Sequence, residues 1–181
     1  RMGEYCDGIE RINIELSAKN KLDLCDALTE FLQGDLPLDV KDADVDRAVL
    51  IGDHRQVALE HITAVRRRWQ WLLDNLDMPL AEAETHFDEY GIAAGELSNR
   101  AGDLRLFHRL QDYSIRISWK KELRPRLKDA FDGAVFAPVL ERIEEIHEEV
   151  KRGRVFVALH MHAGDGNVHT NLPVNSDHYE M

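Results

Sequence analysis

The chain has 181 residues, 44% of them hydrophobic, and a net charge of −11. That apolar share is enough for one core with an appended lobe, and the acidic balance argues against a phosphate-binding surface and so against nucleic acid as a partner. No apolar run reaches the roughly 20 residues that cross a bilayer, and Arg1–Glu10 has no apolar leader segment, so a soluble, cytoplasmic protein is expected.

In chain order, Ile12, Ile14 and Leu16 alternate with Arg11, Asn13 and Glu15, a period of two that predicts a half-buried strand. Ser17 to Asn20 offers caps for a helix over Lys21–Gln33, with Leu24, Leu28, Phe31 and Leu32 as its apolar stripe and Gly34 as its stop. Gly34–Asp46 is acidic, contains Pro37 and reads as a loop. From a cap at Asp53, a long helix runs to about Asp77. Ala58, Ile62, Val65, Trp69, Leu72 and Leu76 form one face, and Met78-Pro79 ends it. Arg66-Arg67-Arg68 reads as a solvated face of that helix. Leu80–Tyr90 is a further helix closed by Gly91, and Gly91–Gly102 a loop. Together Val45–Gly102 is expected to be a helical lobe inserted into an α+β core.

Tyr113, Ile115, Ile117 and Trp119 alternate with Ser114, Arg116 and Ser118, which predicts a second strand. Pro138 opens a helix to about Arg152, with Val139, Ile143, Ile146 and Val150 facing in and Gly153 closing it. Val155–Met161 is nearly continuously apolar and predicts a strand buried on both faces, and Val168–Val174 a last strand. The order of elements predicts an α+β fold, a mainly antiparallel sheet with helices on one face.

Cys6 and Cys25 form no CxxC pair, which excludes a zinc ribbon, and two cysteines are too few to ligate an iron–sulfur cluster. The abrupt ends, Arg1-Met2-Gly3 and Glu180-Met181, suggest a portion of a longer polypeptide.

The chemistry concentrates in His160–Asn171, where three of the nine histidines of the chain fall. Asp165-Gly166 is a turn pair, because both residues tolerate positive φ. If His162 lies opposite His169 across that turn, His160 lies opposite Asn171, and one face of the hairpin carries all four. Two imidazoles there supply two ligands for a zinc-type ion. Taken as residues alone, Asp165 and Asn167 are equally well explained as turn formers, and Arg116 as a solvated strand residue.

The run His162-Ala-Gly-Asp-Gly-Asn-Val-His169 resembles the H-x-G-D-G-N-x-H signature of FAD-linked oxidases of the vanillyl-alcohol-oxidase type, which include D-lactate and D-2-hydroxyglutarate dehydrogenases and the glycolate oxidase flavin subunit. Ile9–Leu16 and Leu106–Tyr113 look like a bacterial subgroup in which the flavin domain is fused to an iron–sulfur domain. The resemblance implies a ferredoxin-like cap domain that covers a flavin held by a separate FAD domain of the same polypeptide. It implies that His162 and His169 bind a divalent metal such as zinc, and that Asn171, with Arg116 and Arg109, contacts a small 2-hydroxy acid. Asp165 and Asn167 would lie on the cofactor side. Electrons would leave through iron–sulfur clusters outside this chain, toward an acceptor at the inner membrane face. The third metal ligand and the base of the family lie in a later Glu-His-Gly stretch that these residues lack, so the segment alone is expected to be inactive. Two rival classes remain open: a metal-dependent hydrolase using His160-x-His162, and a helical interaction module exposing an apolar face around Trp69 and Trp71.

Overall fold

A computed structural model describes residues 2–41, 46–97, 102–162 and 167–171, the backbone alone for 2–6, 159–162 and 167–170. It is built from helices. Helix α1 runs over Met2–Gln33, α2 over Arg47–Ile51, α3 over His54–Asp74, α4 over Leu80–Glu84, α5 over Phe87–Tyr90 and α6 over Leu106–Gln111. A π-helical turn, Trp119–Leu123, leads into α7 (Arg124–Ala130), and a 3-10 turn, Ala134–Phe136, into α8 (Ala137–Arg152). A two-stranded ribbon follows, β1 (Ala158–His162) against β2 (Asn167–Asn171), and it is the only sheet among the described residues.

The ferredoxin-like sheet expected from the sequence is therefore overturned, and the first two predicted strands, 11–16 and 113–119, account for the difference. Residues 11–16 lie inside α1, where Ile12 is 44% exposed. The helical stripe Ala18, Leu22, Cys25, Leu28, Leu32, all buried, is long and continuous. It carries the helix upstream through a stretch whose alternation is too short to compete, because extending an existing helix is far easier than nucleating a strand that has no partner. Ser17 consequently sits mid-helix rather than at a cap. The second predicted strand fails for a local reason. Tyr113 has φ 63°, the left-handed region that bulky residues avoid, and the Ile115 N–H turns back to the Arg109 carbonyl at 2.9 Å. Its alternation records attachment to two cores, since Ile115 is buried in one and Trp119 in the other. The run before β1 is not buried on both faces either: Phe156 is 48% exposed, because no further strand flanks it among the described residues.

The helices read from 3.6-residue periodicity stand where the pattern puts them. In α3, Ala58, Ile62, Val65, Trp69 and Leu72 are buried, as is Leu76 just beyond it. The segment Leu80–Tyr90 breaks into α4 and α5, and Gly91, at φ 61°, closes α5 by donating to the Asp88 carbonyl. Pro138 sits in the first turn of α8, and Val139, Ile143 and Ile146 are buried.

Two hydrophobic clusters result. The first joins α1, α3, α7 and α8 around Leu28, Leu32, Trp69, Leu127 and Phe131. The second gathers Leu72, Leu76, Phe87, Leu106, Leu110 and Ile115. Helix α3 runs through both, so it ties the two together. Glu122 fastens the junction. Its carboxylate accepts from Arg68 at 2.7 Å, the Trp69 indole N–H at 2.9 Å and the Ser118 N–H at 2.8 Å. A half-buried carboxylate with three donors is well satisfied, and it fixes the Trp119–Leu123 turn against α3. No described helix is long and apolar enough to cross a membrane.

Candidate functional site

The approach to the hairpin is set by α8 and α1. Helix α8 ends at Arg152, where Gly153 and Arg154 donate to the Val150 and Lys151 carbonyls. The chain then runs beside α1, and Asn13 holds it in two directions: its Nδ2 donates to the Val157 carbonyl at 2.8 Å, and its Oδ1 accepts the Val157 N–H at 2.7 Å. An amide side chain is the right group for this, since it offers a donor and an acceptor side by side to one extended peptide unit. Nearby, Asn20 donates to the Val150 carbonyl at 2.8 Å. Strand β1 begins one residue beyond the clamp.

Within the hairpin the Cα partners are Ala158 with Asn171, Leu159 with Thr170, His160 with His169, Met161 with Val168 and His162 with Asn167. The expected pairing, His162 against His169 and His160 against Asn171, is thus displaced by two residues. The observed register leaves four residues, 163–166, between the strands, whereas the expected one needed six, and the shorter closure is the commoner hairpin geometry. A slip of two, unlike a slip of one, keeps every residue on its own face of the ribbon. By backbone position His160, His162, Asn167, His169 and Asn171 therefore share one face. His160 is directly opposite His169, and His162 is its diagonal neighbour at a Cα spacing of about 7 Å.

No family model matches the chain. No curated protein and no solved structure matches it either.

The remaining site candidates separate. Asp165 and the end of the last predicted strand, residues 172–174, lie outside the described residues, and Asn171 is exposed at the end of β2. Arg109 is 13% exposed and already committed: it donates to the Glu84 carboxylate at 2.5 Å and to the Gly95 carbonyl at 2.8 Å. Arg116 is uncommitted. Its Nε donates to the Tyr113 carbonyl at 3.2 Å, its guanidinium lies 5.3 Å from the Tyr113 ring, and among the described residues it has no carboxylate partner. The run Arg66-Arg67-Arg68 is spent on Asp26, Glu89 and Glu122.

As a donor set, imidazoles on adjacent strands of one face suit a zinc-type ion. Among the described side chains, which do not include those of His160, His162 and His169, no group of three His, Cys, Asp or Glu residues is gathered. Among the described residues no helix starts from a glycine-rich turn of the kind that cradles a flavin pyrophosphate. Cys25 is buried in the first core, and burial pushes its thiol up to about 12. The residues missed from sequence are Asn13, Lys21 and Arg154. A lone asparagine or lysine carries no pattern, and only the packing of residues 154–157 along α1 gives them a role.

Proposed function

We propose that the hairpin is the substrate-facing, metal-holding element of a flavin-dependent oxidoreductase that oxidises a D-2-hydroxy acid to the 2-keto acid. The observation that supports this most is the hairpin register, which by backbone position puts His160, His162 and His169 on one face of the ribbon. His162 and His169 are the two ligands of the signature, with His160 opposite His169 as a third imidazole close by. Asn171, at the end of β2 on the same backbone face, would bond the substrate, and the family resemblance assigns Asp165 and Asn167 to the cofactor side. Arg116 is the better of the two carboxylate candidates, because its charge is free where that of Arg109 is neutralised by Glu84. The chemistry supplied by the bound groups is acidification of the substrate hydroxyl at the ion and acceptance of the α-hydride by FAD, which is held in another domain. The residues of this chain bind and orient: imidazoles fix the ion, and a bidentate guanidinium fixes the carboxylate plane. Iron–sulfur clusters elsewhere in the polypeptide would take the electrons onward to an acceptor at the membrane face. The segment alone is inactive.

The hydrolase reading rests on the same His160-x-His162 pair and is an outcome of the test. The interaction-module reading loses ground, since Trp69 is fully buried and Trp71 stacks on Tyr90 at 4.8 Å. The deciding experiment uses the whole polypeptide, mixed without oxygen with D-lactate, D-2-hydroxyglutarate or glycolate. Bleaching of a flavin band by one of them, abolished in His162→Ala and His169→Ala, is the expected result. A colourless protein, or a flavin that none of these acids reduces, overturns the proposal, and zinc-dependent ester hydrolysis in its place would favour the hydrolase.

A further inference from the structure

A cleft of about 510 Å³ lies between α1 and the segment 110–118, bordered by Arg154. Three cations line it: Lys21, Arg116 and Arg154. Their convergence is unusual in a chain with a net charge of −11, where Arg11, Arg66, Arg67, Arg68, Arg105, Arg109, Arg124 and Arg142 all pair with carboxylates. Among the described residues none of the three cleft cations has such a partner. The one carboxylate that lines the cleft, Glu10, accepts from the Gln111 amide.

The cations are held in place rather than merely adjacent. Lys21 Nζ donates to Ser17 Oγ at 2.7 Å and, more weakly, to the Ser17 carbonyl at 3.4 Å, which leaves one N–H unused. Arg154 reaches the same Ser17 Oγ at 3.5 Å. Burial first, and then the neighbouring Arg154, bring Lys21 down to about 8, and the more distant Glu122 carboxylate, already bonded to Arg68 and Trp69, offsets only part of this. Arg116 is steadied by the Tyr113 carbonyl and ring. Behind these groups the wall is apolar, formed by Ile14, Ala18, Leu110, Ile115 and Ile117.

We propose that this cleft binds a small organic carboxylate, its head group among Lys21, Arg116 and Arg154 and its carbon chain on the wall of Ile14, Ile115 and Ile117. Cations alone would accept any oxyanion. The apolar wall selects an acid with a short hydrocarbon chain over inorganic phosphate, because phosphate gains nothing from contact with isoleucine. The site shares Arg116 with the flavoprotein reading but does not rest on it, since it needs neither the hairpin histidines nor a flavin.

The test is isothermal titration calorimetry of the intact polypeptide with hexanoate, an acid with no hydroxyl to oxidise, and separately with inorganic phosphate. Saturable hexanoate binding is expected, weakened about tenfold or more by Lys21→Met and by Arg154→Gln, each of which removes a charge-assisted contact. Lys120→Gln, an exposed lysine outside the cleft, should leave it unchanged. Arg154 is exposed, so its variant tests the site without disturbing the core. No saturation by about 50 mM hexanoate, or affinity indifferent to both substitutions, overturns the proposal. Phosphate binding as tight as hexanoate overturns the carboxylate assignment, because the wall would then contribute nothing. A flavin that none of the three hydroxy acids reduces, with hexanoate binding intact, would sink the hairpin reading alone.

Discussion

Helix α3 and the C-terminal hairpin are fixed by different means. Helix α3 buries one whole face in two cores, so every turn of it is held by apolar contact. Among the described residues, the hydrogen bonds that tie the run into β1 to the helical body are those of Asn13 with Val157, with Arg154 approaching Ser17. A region anchored by area resists any single loss of a hydrogen bond, whereas a region anchored by one amide depends on it. The candidate chemistry sits in the second kind of region and the stability of the protein in the first.

The largest expected effect breaks the α3 side of this contrast. Trp69→Ala removes a fully buried ring and its indole bond to Glu122, and should cost about 3–5 kcal/mol in urea unfolding. Glu122→Ala keeps the packing but strands Arg68 and the Trp69 N–H, and should cost about 2–3 kcal/mol, with Glu122→Gln recovering part of it. A loss under about 0.5 kcal/mol would show that Glu122 is not the fastening between the cores. Asn13→Ala sharpens the comparison from the other side. Hydrogen exchange at Val157 and in β1 should accelerate, corresponding to about 1–2 kcal/mol of local opening, while amides of α3 exchange as before. Equal acceleration in α3 would mean that the two regions open together.

The smallest effect is electrostatic. Asp77 is held down to about 2, chiefly by its bond to Arg11 and further by Arg105. A carboxylate depressed in the folded state contributes stability that is present above its unfolded value near 3.8 and is lost as the pH falls through about 2. The groups are about half exposed, so the contribution is under about 1 kcal/mol. Asp77→Asn should flatten the fall in stability between those two values, and an unchanged acid limb would show that the pair contributes nothing.

How much was legible in the sequence depended on the length of the pattern. The face Ala58–Leu76 covers several helical turns and admits one reading, and Pro138 with Gly153 marks both ends of α8. The six residues 11–16 and the seven of 113–119 match a period of two, but so short a run is compatible with a helix or with a chain that merely touches two cores in turn. The left-handed Tyr113 ended the second possibility of a strand, and tyrosine gives no advance sign of that conformation. At the site, the histidine spacing and the hairpin were legible, but the register was misjudged by two residues, because a Gly-Asp-Gly sequence does not by itself state how many residues it leaves unpaired.

The sequence by itself determined which long segments are helical and that the histidines share a ribbon face, since alternation survives a slip of two. Only the tertiary structure decided that α1 is one continuous helix, that Arg109 is neutralised while Arg116 is not, and that Lys21, Arg116 and Arg154 converge. Periodicity is a local property and is written along the chain. Convergence of distant charges depends on how helices pack, and no local pattern encodes it.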